Sequence, residues 1–278
     1  MPREGIEPPT PASSGLRSTT ELPRPYLLIR TASIIIKKTQ MTQEPILKVN
    51  NLSVVLEGKK IIDNISFELQ AQEVMAVIGP NGAGKSVLLK TIIGIIKKTA
   101  GTVEFRPGTK IGYLPQRFHV DFYLPMTVKE FLDLKPNHKY SVQEVLSLVQ
   151  IPEKWLNQNL ATFSSGQLQK ILLAWAIIDQ PSILLFDEPT ENVDVVSQES
   201  IYDLLHELQD KLNISIMIIS HDLNVVYKYA NKVLCLNEEM LCYGEPINTL
   251  TNETLSKLYG NHAFFHHEHH DHHNHENH

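Results

Sequence analysis

Residues 79 to 86 read Gly79-Pro80-Asn81-Gly82-Ala83-Gly84-Lys85-Ser86, which fits the spacing G-x-x-x-x-G-K-[ST]. Glycines at the first, fourth and sixth positions let a backbone fold around an anion without Cβ clashes. The amide N–H groups of such a loop point inward, and a helix that follows adds its positive dipole end. Lys85 can reach the β- and γ-phosphates of a nucleotide, and the Ser86 hydroxyl can ligate Mg²⁺. Gly79 to Val87 are therefore the candidate nucleotide contacts. The apolar run Val74-Met75-Ala76-Val77-Ile78 precedes the loop, and apolar residues at helical spacing follow it. The motif thus falls at a strand-to-helix turn, where phosphate binding needs it.

A second chemical cluster ends another apolar run. Ile183-Leu184-Leu185-Phe186 leads into Asp187-Glu188-Pro189-Thr190, the Walker B pattern. Asp187 can hold Mg²⁺, usually through water. Glu188 stands one residue on, where a carboxylate can orient or deprotonate an attacking water.

The elements that must position these groups alternate along the chain. Leu47 to Leu56 and Ile61 to Leu69 read as a hairpin around Glu57-Gly58-Lys59-Lys60. A helix is predicted from Lys85 to about Ile96, with short strands near Thr102–Phe105 and Lys110–Leu114. Residues from about 118 to 180 turn helical; Val142, Val145, Leu146 and Val149 mark one apolar face. Ile183–Phe186 and Ile214–Ile219 read as buried strands, and Ile201, Leu204, Leu205 and Leu208 as an amphipathic helix between them. The pattern implies a parallel α/β core with a helical insertion. Ligands of such sheets bind at the carboxyl ends of the strands, where both motifs fall.

Composition narrows the partners. The 278 residues carry 31 acidic and 25 basic side chains, a net charge of −6, which argues against broad nucleic-acid binding. No apolar run approaches the roughly 18 residues of a membrane span; Asp179-Gln180-Pro181 breaks the nearest one, Ile171 to Phe186. Cys235 and Cys242 show no metal or redox spacing and read as ordinary thiols of a reducing cytosol.

Phe163-Ser164-Ser165-Gly166-Gln167 precedes a helix predicted over Leu168 to Ile178. With the motifs above, it resembles the ATP-binding cassette (ABC) family, whose signature reads Leu-Ser-Gly-Gly-Gln. Phe163 and Ser165 depart from that pattern. The resemblance spans about residues 45–260. It implies an α/β fold, a P-loop NTPase cassette with an antiparallel β subdomain and a helical (signature) subdomain at about 118–180. It implies ATP and Mg²⁺ as cofactors and a head-to-tail homodimer, in which Ser164, Ser165, Gly166 and Gln167 of one subunit cap the ATP of the other. Gln116, in Tyr113-Leu114-Pro115-Gln116, matches the Q-loop glutamine that senses Mg²⁺ and the attacking water. Asp194, in Thr190-Glu191-Asn192-Val193-Asp194, matches the D-loop, and His221 matches the switch histidine that contacts the γ-phosphate. The aromatic that usually stacks on adenine is missing; Leu56 stands in its region, so base stacking is weakened or supplied elsewhere.

Finer matches point to one branch. Ile111 to Arg117, Val120-Asp121 and Leu124 to Val128 resemble the Q-loop region of metal-chelate importers. Asp187 to Val195 and Val233-Leu234-Cys235-Leu236-Asn237 resemble the zinc-uptake branch, although manganese and iron importers share much of both. This implies Zn²⁺ uptake through an integral membrane permease fed by a periplasmic or surface zinc-binding protein. The chain would sit peripherally on the cytoplasmic face of the membrane. A soluble ABC protein of translation would carry a second cassette, and one of DNA repair a long coiled coil; neither pattern is present. An exporter subunit remains the other transport reading.

The two ends differ from the middle. Residues 1–40 are rich in Pro, Ser and Thr and read either as a disordered extension or as a targeting segment. The stretch from Arg3 to Arg24 also resembles the translation of a transfer-RNA gene upstream of a true start, which gives Met41 as the expected native start. Residues 261–278 read as a disordered tail, with His266, His267, His269, His270, His272 and His273 among interspersed acids and asparagine. Such a tail either binds Zn²⁺ or is a solvated segment of weak, unselective affinity.

Overall fold

The computed structural model describes residues 44–116, 125–136, 138–188 and 195–260, with the backbone alone at 195–198. Its first element is a hairpin. β1 (Leu47–Leu56) runs antiparallel to β2 (Lys59–Leu69) across Glu57 and Gly58, both at positive φ, 51° and 78°. A two-residue turn of that kind matches the right-handed twist of the strands it joins. The turn is tighter than the expected four residues, because Lys59 and Lys60 already pair with Leu56 and Val55. β3 (Val74–Ile78) and α1 (Lys85–Ile92) follow. α1 stops at Ile92 rather than Ile96, since Gly94 adopts φ +82°, a left-handed helix ending, and Ile95 N–H bonds back to the Lys90 carbonyl. β4 (Ala100–Phe105) then returns beside β1 and completes an antiparallel sheet of order β2-β1-β4.

β5 (Ile111–Leu114) opens the second half. The helical segment that follows holds α2 (Val128–Asp133), α3 (Val142–Leu148) and α4 (Ser165–Ile177). Each begins with a capping box, closed by Thr127 with Glu130, Ser141 with Glu144, and Ser164 with Gln167. Residues 150–164 form turns and short 3₁₀ pieces at Glu153–Trp155 and Leu160–Thr162, so this segment is less helical than expected. The remaining elements are β6 (Ile183–Phe186), α5 (Val195–Leu212), β7 (Ser215–Ile219), α6 (Leu223–Tyr229), β8 (Lys232–Asn237), β9 (Glu239–Gly244), α7 (Pro246–Thr249) and α8 (Asn252–Tyr259).

The main sheet has the order β5-β6-β7-β3-β8-β9. All neighbours through β8 pair in parallel, and β9 is an antiparallel edge. Every residue of β3, β6 and β7 is buried. Such continuous apolar strands are required when both faces of a sheet are covered. Alternation divides them between two cores. Met75, Val77, Leu185 and Met217 pack with the antiparallel sheet and α1, while Ala76, Leu184, Phe186 and Ile216 pack with the helices.

One expectation is corrected. Cys235 and Cys242 are direct partners across β8 and β9, with Cα atoms 4.8 Å apart, and they form a disulfide. They are not two free thiols. A separation of 7 residues shows no pairing until the hairpin register is known.

Leu208 of α5 is fully buried against the helical core. Leu208→Ala is expected to cost about 3 kcal/mol of stability, read as a lower denaturant midpoint with an unchanged slope.

Candidate functional site

Parallel pairing brings the carboxyl ends of four neighbouring strands together. β3 ends in the glycine-rich loop, β5 leads to Gln116, β6 to Asp187 and Glu188, and β7 to Ser220 and His221. The backbone locks these ends side by side: Asp187 N–H donates to the Leu114 carbonyl, and Ser220 N–H to that of Val77. A cleft of about 620 Å³ opens there. Asn81 to Val87 form one wall, Gln116, Glu188 and His221 face it, and Ile61 of β2 closes one side. The size suits a small organic ligand.

The loop is shaped by close approach. A Cβ on Gly79 would lie 2.0 Å from the Leu236 carbonyl oxygen of β8. Gly84 caps α1 at φ +93°, and a Cβ there would stand 2.9 Å from the Ile61 carbonyl oxygen. Lys85 is 5% exposed and donates to the carbonyls of Gly79 and Pro80 at 2.9 and 3.0 Å. Burial pulls its pKa down, and Glu188 partly restores it.

Three groups from three strand ends converge on Glu188. Gln116 Nε2 donates to Oε2 at 2.8 Å, His221 Nε2 lies 2.5 Å from Oε1, and Lys85 Nζ lies 3.7 Å from Oε1. Glu188 itself adopts φ +50°, a sharp turn at the strand end. Such rarely populated backbone conformations cluster at functional sites. No periodicity in the sequence indicates it.

Asp187 is 1% exposed. Ser86 Oγ donates to its Oδ1 at 2.7 Å, while Oδ2 is buried with no hydrogen-bond partner among the described residues. Burial pushes the Asp187 pKa up; the Ser86 hydrogen bond and the nearby Lys90 and Lys85 oppose it. A buried, unsatisfied carboxylate oxygen beside a serine hydroxyl fits Mg²⁺, a cation that prefers hard oxygen ligands.

Other expected site residues lie elsewhere. Ser164, Ser165, Gly166 and Gln167 form the N-terminus of α4 and do not line this cleft; Ser164, Ser165 and Gln167 are exposed. Leu56 does not line the cleft either; Ile61, which the sequence reading missed, does. Its only signal is its place in β2, across the hairpin turn from Leu56. Asp194, Arg117 to Leu124, residues 1–40 and the histidine tail lie outside the described residues. No described helix is long and apolar enough to cross a membrane.

A phosphate-binding loop, a buried strand-end aspartate and a following glutamate on a parallel sheet define a P-loop ATPase. Residues 62–191 match the ABC transporter family profile. The chain is 41% identical over 223 residues to the zinc import ATP-binding protein ZnuC 1 of Hahella chejuensis, covering 80% of this chain and 87% of that one. It is 37% identical to the zinc import ATP-binding protein ZnuC of Haemophilus influenzae, covering 81% and 84%. A chain of a metal-chelate type ABC transporter in an inward-facing conformation superposes with a TM-score of 0.70 at 29% identity, covering 78% and 89%. The cbiO1 subunit from Clostridium perfringens, part of an ABC transporter complex, superposes with a TM-score of 0.66 at 26% identity, covering 77% and 94%. The chain belongs to the ABC transporter ATP-binding family, and it is close to the zinc import ATP-binding proteins.

Gly79→Ala forces the loop away from Leu236. Losing one loop amide's bond to a phosphate is expected to weaken nucleotide binding about tenfold or more. Titration with a fluorescent ATP analogue checks this, and an affinity equal to the parent's would contradict it.

Proposed function

We propose that this chain is the ATP-hydrolysing subunit of an importer that carries Zn²⁺ through a membrane permease. The convergence of Lys85, Gln116 and His221 on Glu188, beside Asp187, carries the catalytic part of the reading. The zinc import names of its relatives support the metal. In this reading the loop amides and Lys85 bind the β- and γ-phosphates. Ser86 and Asp187 hold Mg²⁺, which neutralises charge on the phosphates. Glu188 takes a proton from the attacking water, and Gln116 and His221 keep its carboxylate turned into the cleft. His221, 44% exposed on its side chain, is accessible to a γ-phosphate.

The exposed N-terminus of α4 suits a second subunit. The first-turn amides outside its capping box, with the helix dipole, favour an anion, while its own cleft is lined by other residues. Two copies arranged head to tail then enclose ATP between the loop of one and Ser164 to Gln167 of the other. The pair docks on the cytoplasmic face of a permease supplied by a zinc-binding protein. Closing and reopening of the pair turns the permease, so Zn²⁺ need not touch the cassette.

Metal-specific growth rescue tests the reading. Cells lacking the gene are starved with a divalent chelator and resupplied with zinc, manganese or iron. Zinc alone is expected to restore growth, provided the parent gene is returned. Glu188→Gln protein should bind ATP, lose turnover by about a hundredfold or more, and fail to complement. Rescue by manganese or iron would reassign the metal. A Glu188→Gln chain that hydrolyses ATP at the parent rate would remove the base assignment.

A further inference from the structure

Tyr113 and Asp187 sit on the same face of the main sheet. In the β5–β6 register Tyr113 pairs with Leu185, and Leu114 with Phe186. Alternation along the strand places Asp187 on the Leu185 face. On that face Tyr113 and Leu185 share a core. The Tyr113 hydroxyl is buried without a hydrogen-bond partner among the described residues, and so is Asp187 Oδ2. Leaving a buried donor and a buried acceptor both unsatisfied is expensive. The register sets the two at neighbouring positions on that face, within reach of a long aromatic side chain. A tyrosine hydroxyl, ordinarily protonated at neutral pH, meets a carboxylate only as a donor.

We propose that Tyr113 is a positioning residue for the magnesium site, its hydroxyl donating to the Asp187 carboxylate and setting the rotation in which Asp187 meets Mg²⁺. The inference rests on the Mg²⁺–ATPase reading above. Ser86 donates to Oδ1 from α1, and in the proposed pairing Tyr113 approaches the carboxylate from β5. Three residues on, Gln116 holds Glu188. One strand end thereby orients both acids. A shift of β5, which leads into the segment before α2, reaches the cation's ligand and the water-activating glutamate together.

Tyr113→Phe in the full chain tests it, since Phe keeps the ring in the core. A fluorescent ATP analogue is titrated in EDTA and across a Mg²⁺ series, with ATPase activity measured alongside. Affinity in EDTA is expected within about twofold of the parent, because phosphate contacts are untouched. The Mg²⁺ concentration for half-maximal binding enhancement and for half-maximal activity should rise about five- to tenfold, the loss of one hydrogen bond to a charged group. The same shift is expected in the Glu188→Gln background, where turnover is absent, so metal handling is read apart from chemistry. A Mg²⁺-dependent parent matched by Tyr113→Phe at every concentration overturns the tyrosine's role alone. A parent with no Mg²⁺ dependence overturns the magnesium reading and the tyrosine's role with it.

Discussion

A lysine 5% exposed and an aspartate 1% exposed stand at and beside one cleft, and neither charge can be there without partners. Lys85 is held by two backbone carbonyls of its own loop and by Glu188. Asp187 is held by Ser86 on one oxygen, and its other oxygen is buried with no hydrogen-bond partner among the described residues. The arrangement is costly without ligand, because removing charges from water is repaid only by good geometry. Much of the remaining architecture serves to keep these groups in place. The loop must pass against Leu236, and α1 must start in a left-handed residue.

The parallel sheet supplies that geometry. Strand β6 lies between β5 and β7, so its two terminal acids are flanked by Gln116 on one side and His221 on the other. Both faces of the sheet are buried, so a one-residue slip would swap the residue sets of two differently packed cores. The antiparallel sheet and α1 cover one face, and the helices cover the other. Rigid strands below and a loop above give a cleft with fixed walls, as a site that places a water against a phosphate requires.

One exposed helix end carries the proposed subunit contact. The signature residues cap α4 at its exposed N-terminus, held by the Ser164–Gln167 box rather than by the cleft. Local hydrogen bonding thus shapes this helix end independently of the cleft. The β8–β9 hairpin, tied by Cys235 and Cys242, braces the other side of the loop through Leu236. The loop is therefore confined between β8 and the hairpin residue Ile61.

Local chemistry was legible in the chain by itself. The glycine–lysine–serine loop, the apolar strand ending in Asp187-Glu188 and the signature stretch depend on residue types a few positions apart, which the backbone converts directly into turns, caps and buried strands. The α/β alternation was legible for the same reason. The helix after the loop was over-extended, because Ile95 and Ile96 continue the apolar pattern past a glycine that ends it. Contacts across long separations were decided only by the tertiary structure. Ser86 meets Asp187 101 residues away, Gln116 meets Glu188 at 72, and Ile61 reaches the cleft in place of Leu56. The pairing of Cys235 with Cys242 and the shared sheet face of Tyr113 and Asp187 depend on strand register. Register is set by which apolar faces pack together, and no single segment encodes that choice.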